Sequence, residues 1–117
     1  MSGKPNPRRG ELYWADLDPS FGSEAAQVRP VLIVSSDANN KAMPTVSIAP
    51  LTSSVHRIYP FGVFLEPAES GLPKPSKIQT QQIRTIDAGH LKDSIGAINP
   101  DKMNLVGYAL KLHLALE

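Results

Sequence analysis

The order of its elements constrains this chain most. Up to residue 98 the apolar residues come in short runs cut apart by proline, glycine and serine, and only the last stretch carries a helical pattern. Gly10 to Asp16 (Gly-Glu-Leu-Tyr-Trp-Ala-Asp) is short, aromatic and closed by Asp18-Pro19, which reads as a first strand. Ser20 to Arg29 has neither a β nor a helical period and reads as a long connecting loop, a kind of segment that often carries function in a small domain. Val31 to Val34 is a continuous β-branched and leucine run suited to a strand buried on both faces, with Pro30 tolerated because it precedes the run. Ser36 to Asn40 is turn-rich and has room for one helical turn. Thr45 to Leu51 alternates and resumes the sheet, Phe61 to Leu65 adds a strand, Lys77 to Ile86 one or two more, and Ser94 to Ile98 the last.

Asn99-Pro100 then puts a capping side chain before a proline at the first helical position, so a helix is predicted from Pro100 to about Ala115. Met103, Val106 and Leu110 form one apolar stripe, and Leu105, Ala109, Leu112 and Leu116 another. The helix is therefore expected to pack on two sides, one of them open to a partner subunit, with Gly107 admitting a neighbouring backbone. Short strands followed by one terminal helix predict a mainly β fold: a small barrel or strongly bent antiparallel sheet with the helix added.

A chain of 117 residues has the length of one domain. Residues 1–8, with Gly3, Pro5 and Pro7, read as a flexible leader, and residues 9–117 as the single domain. The absence of cysteine removes disulfides, thiolate zinc sites and cysteine nucleophiles together, and suits a reducing cytoplasm. His56, His90 and His113 lie far apart without the spacing of a metal cluster, so no cofactor is expected. No apolar run approaches the ~20 residues that span a bilayer. A net charge of +1 gives no strong positive field, so composition does not by itself predict a nucleic-acid partner.

Three polar segments could carry chemistry. Arg29 sits where the long loop meets Pro30 and the buried run; it reads either as a solvated loop arginine or as a fixed phosphate clamp, since its planar donors match phosphate oxygens. Thr52, followed by Ser53 and Ser54, lies just past a strand, where a hydroxyl either closes a turn or stabilises a developing oxyanion. Ser76, Gln79, Gln81, Gln82, Arg84 and Thr85 alternate with Ile78, Ile83 and Ile86. Such amides are either merely solvated or read base edges in single strands, with Lys74 and Lys77 following a backbone.

In order, Gly10-Glu-Leu-Tyr-Trp-Ala-Asp-Leu-Asp-Pro19, Gly22-Ser-Glu24, Arg29-Pro-Val-Leu-Ile-Val-Ser35, Pro50-Leu-Thr-Ser53, Tyr59-Pro-Phe61 and Gln82-Ile-Arg-Thr-Ile-Asp87 resemble the motifs of MazF/PemK-type toxins, from about Arg9 to the terminal helix. The resemblance implies an SH3-like, plasmid-maintenance-toxin barrel and a homodimer. It also implies an endoribonuclease that cuts single-stranded RNA at short sequences and is silenced by a cognate antitoxin. Arg29 and Thr52 match the family's catalytic pair. Two departures stand out: Ala25-Ala26-Gln27-Val28 replaces a glycine-rich stretch before Arg-Pro, and Gln81 stands where relatives often carry an acid.

On this reading the RNA 2′-hydroxyl attacks its neighbouring phosphorus without metal, leaving a 2′,3′-cyclic phosphate and a 5′-hydroxyl. Glu24 and His56 are the candidates, by chemistry, for the general base. Ser53, Lys77, Gln79, Gln82, Arg84 and Thr85 are the expected RNA contacts. Two rival readings are a gyrase-directed poison of the same fold and an RNA-binding module without turnover.

Overall fold

The computed structural model describes residues 6–17, 27–56 and 59–117. Seven strands form one antiparallel sheet: β1 (Glu11–Leu17), β2 (Gln27–Ile33), β3 (Thr45–Thr52), β4 (Gly62–Leu65), β5 (Ser76–Gln79), β6 (Arg84–Asp87) and β7 (Leu91–Ala97). The helices are α1 (Asp37–Ala42), α2 (Pro67–Ser70) and α3 (Pro100–Leu114). The strand order is β4-β5-β3-β2-β1-β7, with β6 paired to β3 off that path. The expected mainly β architecture with a C-terminal helix is what forms, as a curled sheet that is not closed: β4 and β7 end the row rather than meeting.

Strand β3 organises this sheet by changing neighbours along its length. Thr45 to Ile48 pair with β6, Ile48 to Pro50 with β2, and Leu51 and Thr52 with β5. Its side chains alternate between two cores. Val46 and Ile48 join Val31, Ile33, Ile86 and Leu91 on one face. Ala49 and Leu51 join Leu12, Leu32, Leu65 and Ile78 on the other, which α3 caps with Val106 and Ala109. Each fully buried aliphatic side chain contributes roughly 1.5–3 kcal/mol relative to exposure, so the two clusters together hold the sheet in its bend.

Several local expectations need correction. Strand β2 begins at Gln27, so Gln27 to Arg29 belong to the ladder with β1 and not to a loop; residues 18–26, including Glu24, lie outside the described residues. Pro30 lies inside β2, opposite Trp14. It has no N–H to give, and it sits one residue before the β2–β3 ladder begins at Val31. Thr52 is the last residue of β3 and not past it. β7 is longer than the predicted Ser94 to Ile98, because the polar Lys92 and Asp93 continue the strand that bulges against β1.

Helix α3 starts as expected, with the Asn99 side chain accepting from the Lys102 N–H at 2.8 Å. Lys102 also donates to the Phe64 carbonyl at 2.8 Å and lies 3.6 Å from Glu69, which fixes the helix start over β4. Among the described residues the helix packs on one side only. Val106 and Ala109 are buried, whereas Leu105, Tyr108 and Leu112 are 51%, 63% and 43% exposed. A Cβ placed at Gly107 would lie 3.9 Å from the Arg9 guanidinium, so what faces this glycine is a side chain and not a neighbouring backbone. That arginine donates to the Val34 carbonyl, and its own N–H donates to Asp37 at 2.7 Å. The chain then enters β1 through Gly10, whose φ of +96° is a conformation glycine adopts without strain.

Candidate active site

Arg29 and Thr52 both lie where β3 leaves β2 for β5. The β2–β3 ladder ends at the Val31–Pro50 pair, two residues short of Arg29 and of Thr52, and on its far side Thr52 pairs with Lys77. Both line one open cleft of about 370 Å³. Its rim carries Arg29, Thr52, Ser53 and Lys74, and its wall is made of Trp14, Pro30, Leu51, Leu72, Pro73 and the buried Ser76. Arg29 is exposed but anchored in the backbone by its pairing with Ala15, so its Cα is fixed while its guanidinium reaches solvent.

The turn reading of Thr52 is what the structure shows. Its hydroxyl oxygen accepts the Ser54 N–H at 3.2 Å, which closes the turn after β3. That leaves the hydroxyl hydrogen available for donation, because a threonine hydroxyl is one donor with two acceptor positions. The Ser54 hydroxyl in turn lies 3.4 Å from His56 Nδ1, so His56 is tied to the same turn although it does not line the cleft.

The expected RNA segment is divided. Lys77 stands beside Thr52 and Ser53 lines the cleft, but Gln79 pairs with Gly62 of β4 and lines none of the clefts described here. A 3-10 turn at Thr80–Gln82 breaks the alternation: Ser76, Ile78 and Thr80 point inward, and the count restarts with Ile83 and Ile86. Thr80 donates its hydroxyl to the Phe61 carbonyl, and the buried Gln81 side-chain oxygen finds no donor among the described residues. Gln82 is exposed on that turn. Arg84 and Thr85 line a second, smaller cleft of about 190 Å³ with Asp16, Asp87 and His90. Arg84 pairs with Ile48, four residues along β3 from Thr52, a separation of ~13 Å.

Trp14 and Leu72-Pro73 have no sequence signal as site residues. Trp14 reads only as a strand aromatic, and its place on the cleft wall depends on β1 lying beside Pro30. Among the described residues no three histidine or acidic side chains converge as metal ligands. No helix of the described residues is long and apolar enough to cross a membrane.

Residues 8–114 match the family described as PemK-like, MazF-like toxin of type II toxin-antitoxin system. The chain belongs to that family. It is 39% identical over 114 residues to endoribonuclease MazF9 of Mycobacterium tuberculosis, covering 93% of this chain and 97% of that one. Among solved structures, this toxin-family chain superposes on an endoribonuclease in complex with its cognate antitoxin from a mycobacterial species. That match has a TM-score of 0.78, 31% identity, and covers 95% and 97% of the two chains. It likewise superposes on MazF from Deinococcus radiodurans, with a TM-score of 0.80, 26% identity, and coverage of 97% and 100%. The curled sheet and terminal helix are thus the fold of the MazF toxins.

Proposed function

We propose that this chain is a toxin endoribonuclease that cleaves single-stranded RNA without a metal, using Arg29 and Thr52, and that a cognate antitoxin silences it. One observation carries the reading: the arginine and threonine that match the family's catalytic pair line the same cleft, whose lining among the described residues carries Arg29 and Lys74 and no carboxylate. Relatives named as endoribonucleases, one of them solved with its antitoxin, support the same activity and the same class of partner.

In the proposed reaction the ribose O2′ attacks the adjacent phosphorus. The P–O5′ bond breaks, the O2′ proton passes to a base and O5′ takes up a proton. The products are a 2′,3′-cyclic phosphate and a 5′-hydroxyl. Arg29 offsets the extra negative charge of the five-coordinate phosphorus, and Thr52 donates the hydroxyl hydrogen that its turn contact leaves unused. Preorganised donors of this kind are worth about 10²–10³ in rate each. His56, held to the Thr52 turn through Ser54, is one candidate for the base; Glu24 is the other. Lys77 and Ser53 would hold RNA next to the cut, with Arg84 and Thr85 contacting it farther along β3 and Gln79 and Gln82 contributing at the turn between them.

The test is incubation of purified protein with mixed single-stranded RNA in EDTA. Cleavage is expected. Tight RNA binding without cleavage would leave a binding module, and cleavage abolished by chelation would overturn the metal-free mechanism.

The proposed toxin acts in the cytoplasm as a homodimer, supported by the exposed row Leu105, Tyr108 and Leu112 on one side of α3. The double variant Leu105→Glu and Tyr108→Glu should sediment as a monomer with unchanged helix content. A dimer that survives it uses another surface. The antitoxin is expected to present an acidic, flexible segment to the RNA-binding rim.

A further inference from the structure

We propose that the cleft beside Arg29 and Thr52 seats one nucleobase adjacent to the scissile phosphate, with the Trp14 indole as its stacking face. This deepens the ribonuclease reading and rests on it. A base is joined to the phosphate it flanks through a single ribose, so RNA held with its phosphorus at Arg29 and Thr52 must place a base close by. The surface offered there is apolar and includes a flat aromatic ring. Trp14 is half-buried, packed against the core that contains Leu51 and Leu72, and it faces the cleft alongside Pro30 and Pro73.

Charge favours a strand that carries phosphates. Among the described residues, the lining of this cleft includes Arg29 and Lys74 and no carboxylate. The cleft beside β6 carries Asp16 and Asp87, and the one beside β7 carries Asp93. A volume of about 370 Å³ lies at the small end of ligand sites. Ser76, 3% exposed, gives its hydroxyl hydrogen to the Lys74 carbonyl at 3.2 Å, which holds the lysine-bearing rim against the wall. Trp14 would be a specificity residue: it fixes which nucleotide can sit beside the cut, while the charge and hydrogen bond of the reaction stay with Arg29 and Thr52.

Trp14 is the single tryptophan of the chain, so its emission reports on the cleft directly. The first measurement titrates the wild-type protein with a 2′-O-methyl oligonucleotide, which cannot be cut, and with the same strand made abasic at each position flanking the cut. Quenching by the intact strand, lost when one particular flanking position is abasic, is the expected result. The second measurement is a cycle. The abasic substitution at that position and Trp14→Leu should each raise KM by about 5- to 100-fold, in line with one base–aromatic stack. Combined, they should cost little more than either alone. Trp14→Phe should restore most of the loss.

If wild type cleaves RNA, yet its emission ignores the strand or the two losses multiply, the inference is wrong and the ribonuclease reading stands. If wild type cleaves nothing, both fall. Quenching by an acidic antitoxin peptide but not by the oligonucleotide would assign the cleft to the protein partner instead, and would also overturn the inference.

Discussion

The two halves of β3 end in different environments: Thr45 to Ile48 alternate in burial, whereas Ala49 to Leu51 are all buried before Thr52 opens to the rim. Val46 and Ile48 are 1% and 0% exposed, flanked by β6 on one side and, at Ile48, by β2 on the other. Four residues on, Thr52 has passed to β5, and its side chain stands half-exposed on the rim of the cleft. A strand clamped at one end holds its other end still. A side chain placed at the point of departure therefore gains a fixed backbone without losing access to substrate, the combination that preorganised catalysis requires.

Breaking the open half should abolish chemistry and spare the fold. Arg29→Ala is expected to lower RNA cleavage by about 10³-fold while shifting the urea unfolding free energy by no more than about 0.5 kcal/mol, because the side chain is exposed. Breaking the closed half should do the reverse. Ile48→Ala leaves a cavity between β2, β3 and β6 and should cost about 2–5 kcal/mol of stability, with cleavage per folded molecule retained. A parallel loss of both in either variant would show that the halves are not separable.

Thr52→Val sharpens the comparison at the boundary. It removes the donor for the phosphorane and the acceptor for the Ser54 N–H together, so a fall in cleavage of about 10²-fold should accompany roughly 1 kcal/mol of destabilisation. Thr52→Ser, which keeps the hydroxyl, should recover most of the activity.

The smallest effect belongs to the closed half and appears only in alkali. Tyr13 packs on the core of Val46 and Ile48, and its phenol is pushed up to about 12, first by burial and then by its 2.9 Å hydrogen bond to Glu11 and that carboxylate's charge. Its raised value favours the protonated form in the folded state. That contribution is complete below the unfolded value near 10 and is lost as pH rises from 10 to 12. Chemical denaturation across that window should show stability falling more steeply in wild type than in Tyr13→Phe, with cleavage at neutral pH the same in both.

Much of the fold is legible in local pattern. The Val31 to Val34 run, the alternation from Thr45 and the Asn99-Pro100 start each report a short-range preference that the sheet and helix satisfy. What fails is non-local. Gln27 to Arg29 show no β pattern because one side of that stretch lies beyond the reach of β3, yet pairing with β1 makes them strand. Likewise nothing near Arg84 announces that its partner is Ile48 and not β5.

For the site, residue chemistry alone leaves two readings open for each of Arg29 and Thr52, and the ordered motifs favour the functional one. Trp14 became visible when the sheet set β1 beside Pro30. Gln82 and Arg84 share a sequence segment with Lys77, but the turn at Thr80–Gln82 separates what the sequence keeps together.

Attack by a 2′-hydroxyl beside Arg29 and Thr52 is the centre of the proposed mechanism. Its most direct test is cleavage, in EDTA, of one RNA and of the same RNA carrying a single 2′-deoxynucleotide immediately 5′ of the cut, with the ends identified by mass spectrometry. The prediction is a 2′,3′-cyclic phosphate and a 5′-hydroxyl from the first strand, and no cut at that position in the second. Comparable cutting of the deoxy-substituted strand, or a 5′-phosphate on either product, would contradict it.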